Sequence, residues 1–147
     1  MNNLIKTGLV VLIAGSSFQA IGQEKVIQLN NLPNTAQQFV KTYYGNESVS
    51  LVKSEKETFS PIEYKVVFAN GTEIEFDKNG AWKEVDAKGK SVPQAIVPTS
   101  IKNYVNKSFP NNEIKQISKS SREIEVELTS GIDLKFNKKG EFIKIDD

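Results

Sequence analysis

The chain has 147 residues, with 19 lysines and arginines, 18 aspartates and glutamates, and neither histidine nor cysteine. This size and a charged fraction of 25% are typical of one globular domain. Without cysteine there is no disulfide and no thiolate chemistry, and without histidine there is no Ser-His-Asp triad and no imidazole metal ligand.

The first 22 residues have the pattern of a secretory signal peptide. Lys6 precedes an apolar run from Leu9 to Ala14, and the sequence Ala20-Ile21-Gly22 fits a small-x-small cleavage site. The apolar run is shorter than the roughly 20 residues that a membrane-spanning helix needs. We therefore expect a mature chain that begins at Gln23, is periplasmic or secreted, and is not inserted in a membrane.

The expected mature chain has no net charge. Cleavage removes Lys6 and no acidic residue, which leaves 18 basic and 18 acidic side chains. A neutral chain without a basic patch predicts no nucleic-acid partner.

Two segments that lie 65 residues apart show the same helical pattern. Each begins with a proline, Pro33 or Pro98, and continues with residues at helical spacing that are apolar except for Ser108. Gly45 and Pro110 predict where the two helices end. We expect the aromatic residues of both stripes to lie in the core. The stripes comprise Ala36, Phe39, Val40, Tyr43 and Tyr44, and Ile101, Tyr104, Val105, Ser108 and Phe109.

Alternating strand patterns follow each helix and recur 60 residues apart. They predict an α+β domain over residues 23–147, built from two tandem units of about 31–88 and 96–147. Each unit has one helix and about four antiparallel strands, and we expect one continuous antiparallel sheet with the helices on one face. The five-residue difference between the two offsets predicts a longer loop at Thr58–Pro61, and Lys88–Pro93 is the expected linker.

The first hairpin of each unit has a predictable register. Three-residue loops at 69–71 and 129–131 place the apolar residues of both strands on one face. A type I turn with glycine in the left-handed region is common in such loops, so we expect positive φ at Gly71 and Gly131.

The second hairpin of each unit decides the orientation of two aromatic residues. An even loop at 137–140 directs Ile143 and Ile145 to the core and Phe142 outward, whereas an odd loop exposes both isoleucines. Burial of an aliphatic side chain contributes about 1.5–3 kcal/mol, which favours the even loop. By analogy Trp82 faces outward and Val85 inward, although the first unit alone also allows Trp82 to be buried instead of Val85.

The face of the sheet away from the helices, which we call the open face, is then predicted to be charged. Together with Trp82 and Phe142 as aromatic anchors, these charges predict a site that binds another protein or a peptide. The alternative is that the two aromatics cover each other or the seam between the units. The charged residues of the predicted binding site are Lys65, Glu75, Glu125, Lys135 and Lys144.

A calcium-binding regulatory or sensor protein is the alternative function. Residues 77–80, of sequence DKNG, resemble the start of a calcium loop, and Glu75, Glu84 and Asp86 are near in sequence. The later acidic positions of such a loop are missing, and hairpin chemistry explains these residues without an ion. The sequence therefore predicts no metal site and no cofactor.

Catalysis is not predicted. Carboxylate pairs such as Glu73/Glu75 and Glu123/Glu125 resemble the paired acids of glycosidases. Strand spacing places each pair on one solvated face, where nothing shifts the pKa values of the carboxyl groups.

The two tandem patterns resemble the bacterial PepSY-like family, which is similar in fold to beta-lactamase inhibitory protein. The resemblance covers nearly all of residues 23–147 and implies small exported α+β proteins with helices on one side of a continuous antiparallel sheet. In inhibitory members of that fold, the exposed concave face of the sheet grips a partner protein, which makes a peptidase or other enzyme a possible target. The matching residues are Leu32, Pro33, Phe39, Tyr44, Val66, Gly71, Ile74, Phe76, Asp77, Gly80, Ala81, Trp82 and Val85, and then Val97, Pro98, Tyr104, Phe109, Val126, Gly131, Leu134, Phe136, Asn137, Gly140 and Phe142.

Overall fold

The computed structural model describes residues 22–146. The predicted signal peptide, apart from Gly22, lies outside the described residues. Within residues 22–146, no helix is long and apolar enough to cross a membrane.

Two helices and nine strands make up the described chain, in the order β1, α1, β2 to β5, α2, β6 to β9. The helices are α1 (Asn34–Tyr44) and α2 (Thr99–Ser108). Short 3-10 turns at Leu29–Asn31 and Gln94–Ile96 precede them. The strands are β1 (Gln23–Val26), β2 (Val49–Lys56), β3 (Glu63–Phe68), β4 (Glu73–Phe76), β5 (Trp82–Asp86), β6 (Ile114–Lys119), β7 (Glu123–Leu128), β8 (Asp133–Asn137) and β9 (Phe142–Asp146).

The nine strands form one antiparallel sheet in chain order from β1 to β9. The predicted continuous sheet is confirmed, because β5 pairs directly with β6, where Val85 faces Ile117. Strand β1 was not predicted: its four residues, QEKV, are all exposed and show no apolar alternation. Four strands follow each helix, but the boundaries proposed for the two units stay a prediction.

Both helices begin directly after a proline, as predicted. Pro33 and Pro98 occupy the N-cap positions, Gly45 caps α1, and α2 ends at Ser108, two residues before Pro110. Every backbone N–H of the first turn lacks a partner within the helix, so a proline at this end removes no hydrogen bond.

The helices cover one side of the sheet and enclose a single hydrophobic core. Ala36, Val40 and Tyr44 from α1 and Ile101 and Val105 from α2 are buried there against the strands. The prediction that Tyr43 lies in the core was wrong, because its side chain is 37% exposed at the margin of the α1 stripe. The strand residues that fill this core are Val52, Val66, Phe68, Ile74, Phe76, Val85, Ile114, Ile117, Val126, Leu128, Leu134 and Phe136.

The first hairpin of each unit has the predicted register. Val66 faces Ile74 in one and Val126 faces Leu134 in the other. The predicted positive φ is found at Gly71 (91°) and Gly131 (86°). The predicted longer loop is also present, since 57–62 connects β2 to β3 whereas only 120–122 connects β6 to β7.

The second hairpin of each unit differs from the prediction. Asp77 N–H donates to Ala81 O, which leaves the odd loop 78–80 where an even one was expected. A bulge at Lys83 then changes the register, so Phe76 faces Trp82 while Ile74 faces Val85. A bulge adds one residue to one strand only. Both Trp82 and Val85 therefore point toward the helices.

The hairpin from β8 to β9 has the same bulge, at Ile143. Phe136 faces Phe142 and Leu134 faces Ile145, so Phe142 also lies on the helix side. The predictions of an outward Phe142 and an inward Ile143 were wrong. They assumed that side chains alternate between the two faces along the whole strand, which holds only for a strand without a bulge. Ile145 points to the helix side as predicted, but it is 49% exposed.

Candidate functional site

The five charged residues of the predicted binding site lie on the open face of the sheet. Lys65 faces Glu75 across β3 and β4, and their Nζ and Oε1 atoms are 2.8 Å apart. Lys135 faces Glu125 across β7 and β8, with Nζ and Oε1 3.3 Å apart. Lys144 faces Lys135 from β9. These cross-strand pairs place the five charges side by side across the sheet.

Asp146 forms ion pairs with Lys135 and Lys144 at the β9 end of the open face. Its carboxylate accepts a hydrogen bond from Lys144 Nζ at 2.7 Å and lies 2.7 Å from Lys135 Nζ. These hydrogen bonds, from Lys135 first and then Lys144, lower the pKa of Asp146 to about 2. The carboxyl group is therefore ionised at any physiological pH.

Carboxylates also face each other directly on this face. Glu75 lies opposite Glu84, and Glu127 lies opposite Asp133. Burial raises the pKa of Glu84, and the charge of Glu75 adds to this rise, while Gln116 Nε2 donates to Glu84 Oε1 at 2.8 Å. Burial, followed by the charge of Glu127, likewise raises the pKa of Asp133. In residues 22–146, no group of three or more acidic, histidine or cysteine side chains is arranged to hold a metal ion.

The segment that resembles a calcium loop is a turn in which one carboxylate oxygen of Asp77 accepts backbone hydrogen bonds. Asp77 Oδ1 accepts the backbone N–H groups of Asn79 at 2.8 Å and Ala81 at 3.0 Å. In the second copy the amide oxygen of Asn137 accepts the N–H groups of Lys139 and Glu141 at 2.9 and 3.0 Å. Because a neutral amide gives the same geometry, the turn needs no ion.

The two predicted aromatic anchors do not belong to the open face. Each packs beneath a helix: the ring centroid of Trp82 lies 6.2 Å from that of Phe39, and Phe142 stacks on Tyr104 at 4.5 Å. The structure therefore separates the predicted site into five charged residues on one side of the sheet and two aromatics on the other. The aromatics do not cover each other, because they pack under different helices.

A groove on the helix side surrounds Trp82. It consists of two adjoining hollows of about 350 and about 340 Å³, which share Phe39, Tyr43, Trp82 and Lys119. We call it the helix-side groove. The remaining apolar residues that line the first hollow are Ala95, Ile96, Pro98, Ile117 and Ile124.

Lys119 is the one charged residue of β3 to β9 whose register places it among the apolar residues of the helix side. It faces Ile124, and its Nζ lies 3.8 Å from the centroid of the Trp82 ring. Lys119 is exposed at the end of β6, and the partial burial of its side chain lowers its pKa, an effect that the charge of Asp77 opposes. Sequence reasoning missed this residue, although the alternation Ile117-x-Lys119 already places the lysine on the face of a core isoleucine.

A larger hollow, of about 1010 Å³, lies between β1 and Ile62. It borders Gly22, where the described part of the chain begins.

Comparison with known proteins identifies relatives of the same fold. The PepSY-like family model, described as "Putative beta-lactamase-inhibitor-like, PepSY-like", matches residues 62–144. A solved structure from Bacteroides thetaiotaomicron, named as a "putative calcium-regulated periplasmic protein", is 40% identical with a TM-score of 0.81 and covers 84% of this chain and 97% of its own. No curated protein matches the chain.

Two solved structures from Bacteroides vulgatus are also similar, each with a TM-score of 0.81. One is 39% identical and covers 85% of this chain and 98% of its own; the other, described as of unknown function, is 30% identical and covers 85% and 100%. All three solved relatives are named as putative periplasmic proteins. In agreement with the sequence prediction, the chain is a periplasmic or secreted protein.

Proposed function

Because the chain belongs to the PepSY-like family, we propose that it is a non-catalytic exported module that binds another protein or a peptide through the open face of its sheet. The observation that supports this most is the open face itself. The helices pack on the other side of the sheet, and the open face carries a continuous array of partly exposed ion pairs. Inhibition of a peptidase or another enzyme is one form that such binding would take.

The charges of the open face are ordered before any partner arrives. Lys65 Nζ lies within 3.7 Å of Glu73 and 2.8 Å of Glu75, and Lys135 Nζ lies near Glu123, Glu125 and Asp146. Each of these lysines is shared among several carboxylates, so the face has an acidic excess. Complementary charge governs the rate and specificity of protein association. We therefore expect a partner with a basic surface.

The test compares two double charge reversals in residues 23–147. Glu75→Lys with Glu125→Lys changes the open face, and Glu57→Lys with Glu113→Lys makes the same change in charge at exposed loop positions. Each immobilised chain is exposed to a periplasmic extract of the source bacterium, and thermal melting confirms that both variants are folded. We expect a protein that the parent and the loop variant retain and the open-face variant loses.

Equal retention by all three chains, or retention by none, would remove the support for the open face as a binding site. Substitution of Trp82 or Phe142 by aspartate is not a suitable control. Both rings pack against helix residues, so a loss of binding would not be separable from a loss of folding.

A response to calcium is the second candidate function. It is favoured by the similarity to the Bacteroides thetaiotaomicron protein named as putatively calcium-regulated, and by the facing carboxylates Glu75/Glu84 and Glu127/Asp133. A cation that binds only the folded chain raises its melting temperature. We expect such a rise in millimolar calcium, reversed by a chelator and reduced in the variant Glu84→Gln with Asp133→Asn. An unchanged melting temperature in calcium would rule out this second candidate function.

A further inference from the structure

We propose that the helix-side groove binds the carboxyl terminus of a polypeptide that ends in an aromatic or aliphatic residue, with Lys119 holding the terminal carboxylate. The groove lies on the side of the sheet opposite to the open face, so this proposal does not depend on the proposed function.

The shape and lining of the groove indicate a ligand about one or two side chains in size. Each hollow, at about 350 and about 340 Å³, is near the lower end of the range of ligand pockets, which begins at roughly 300 Å³. Phe39, Tyr43 and Trp82 line both hollows, and Ile96 and Ile124 add aliphatic wall to the first. Such a lining favours an apolar side chain at the end of a flexible segment.

The charge of the groove indicates a carboxylate. Among the described residues, Lys119 forms no ion pair, unlike the lysines of the open face. Its ammonium group instead lies over the Trp82 ring, a contact that leaves its N–H groups without an anionic acceptor. The charge of Asp77 acts on Lys119, but the two side chains form no ion pair, and Asp77 Oδ1 accepts two N–H groups of its own turn.

The position of Lys119 allows a single ligand to place both an apolar side chain and a carboxylate in the groove. Lys119, Trp82, Phe39 and Tyr43 belong to both hollows, so the cation stands where the apolar pockets meet. A terminal residue would place its side chain in one hollow while its carboxylate accepts from Lys119 Nζ. Capture of a C-terminal carboxylate is a recurring mode of peptide recognition, and here a lysine side chain would take the place of the backbone N–H groups that often perform it.

The single tryptophan of the chain gives a direct measurement, since Trp82 lies in the groove. We would titrate residues 23–147 with acetyl-Ala-Ala-Phe bearing a free carboxyl group, with the same peptide amidated at its end, and with decanoate. Trp82 fluorescence and the NMR shift of its indole N–H report binding. We expect the free acid to bind at least about tenfold more tightly than the amide, because a hydrogen bond to a charged group is lost.

Three variants separate the role of Lys119 from a general effect of charge. We expect Lys119→Met to reduce binding of the free acid to that of the amide and Lys119→Arg to retain it. Lys138→Met, at an exposed residue of the turn between β8 and β9 that lines neither hollow, should bind like the parent. Thermal melting shows whether each variant is folded.

Equal affinities for acid and amide, undiminished binding by folded Lys119→Met, or no response to the free acid would overturn the proposal. Tighter binding of decanoate than of the peptide would overturn the assignment of a polypeptide terminus and identify a fatty acid site instead.

Discussion

Strands β5 and β9 follow hairpins of the same geometry and carry the same bulge, yet they differ in what surrounds them. Val85 in β5 faces Ile74 on one side and Ile117 of β6 on the other, and it is fully buried. Ile145 in β9 faces Leu134 and, within residues 22–146, has no strand on its other side, so it is 49% exposed. The two hairpins thus share one backbone geometry, whereas the neighbouring strand determines burial.

The aromatic residues after the two hairpins show the same contrast. Trp82 packs on Phe39 of α1, where β6 of the other half of the sheet brings Lys119 beside its ring. Phe142 occupies the matching position at the sheet edge and stacks on Tyr104, with a ring angle of 13°. At Trp82, the second half of the sheet supplies the other wall of the helix-side groove.

The largest expected effect comes from the turn glycines. Gly80 and Gly140 have φ of 84° and 79°. An alanine Cβ at position 80 would lie 2.8 Å from both Ala36 N and Pro33 Cβ, whereas at 140 it would first meet Ser100 Oγ, which can rotate away. Left-handed backbone costs an alanine about 1–2 kcal/mol, and overpacking against backbone adds about 1–3 kcal/mol.

We therefore expect Gly80→Ala to lower the free energy of unfolding by about 3 kcal/mol and Gly140→Ala by about 1–2 kcal/mol. Urea denaturation measures both. Gly131→Ala is the reference for backbone strain alone, since its φ is 86° and no atom lies within 4 Å of the added Cβ. Equal losses at 80 and 140 would show that the helix start does not constrain the first turn.

The second prediction concerns Val85 and Ile145 themselves. We expect Val85→Ala to cost about 2 kcal/mol, because a fully buried side chain loses its apolar contacts and leaves a cavity. Ile145→Ala removes more atoms but should cost less, about 1 kcal/mol, since half of the side chain already contacts solvent. The same denaturation experiment decides this, and a larger loss at Ile145 would indicate that a partner covers β9 in solution.

Much of this fold follows from the sequence, because its signals are local. The start of each helix, directly after Pro33 or Pro98, depends on residues within a few positions. The same is true of the positive φ at Gly71 and Gly131. The bulges at Lys83 and Ile143 could not be predicted, because nothing in their side chains distinguishes a bulge from a regular strand. Each bulge residue changes which side of the sheet the residue before it points to. Trp82 and Phe142 were therefore assigned to the wrong side of the sheet.

Charges of the open face were placed correctly because β3, β4, β7 and β8 keep an unbroken ladder between paired residues such as Lys65 and Glu75. The helix-side groove had no such signal. It arises from α1, β5 and β6 together, and the contact between Trp82 and Lys119 joins residues of the two halves. The exposed β1 likewise shows that an edge strand needs no apolar pattern of its own.

The smallest expected effect comes from the ends of the two helices. Tyr44 at the end of α1 is buried, and its hydroxyl has no hydrogen-bond partner among the described residues, whereas Phe109, 65 positions later, has no hydroxyl. An unsatisfied buried polar group costs about 1–3 kcal/mol. Tyr44→Phe should therefore raise the free energy of unfolding by about 1 kcal/mol at pH 7, while Tyr43→Phe, at an exposed position, should change it little.

The difference between Tyr44→Phe and the parent should grow at alkaline pH. Burial raises the pKa of Tyr44 from 10.0 to about 12, and the charge of Glu47 adds to the rise. Above pH 10 the unfolded chain releases this proton before the folded chain does, so the parent loses stability as the pH rises toward about 12. Denaturation at pH 7 and pH 11 measures the effect. A parent that loses no more stability than Tyr44→Phe would mean that the hydroxyl reaches water, and that the two helix ends are alike in energy despite their different residues.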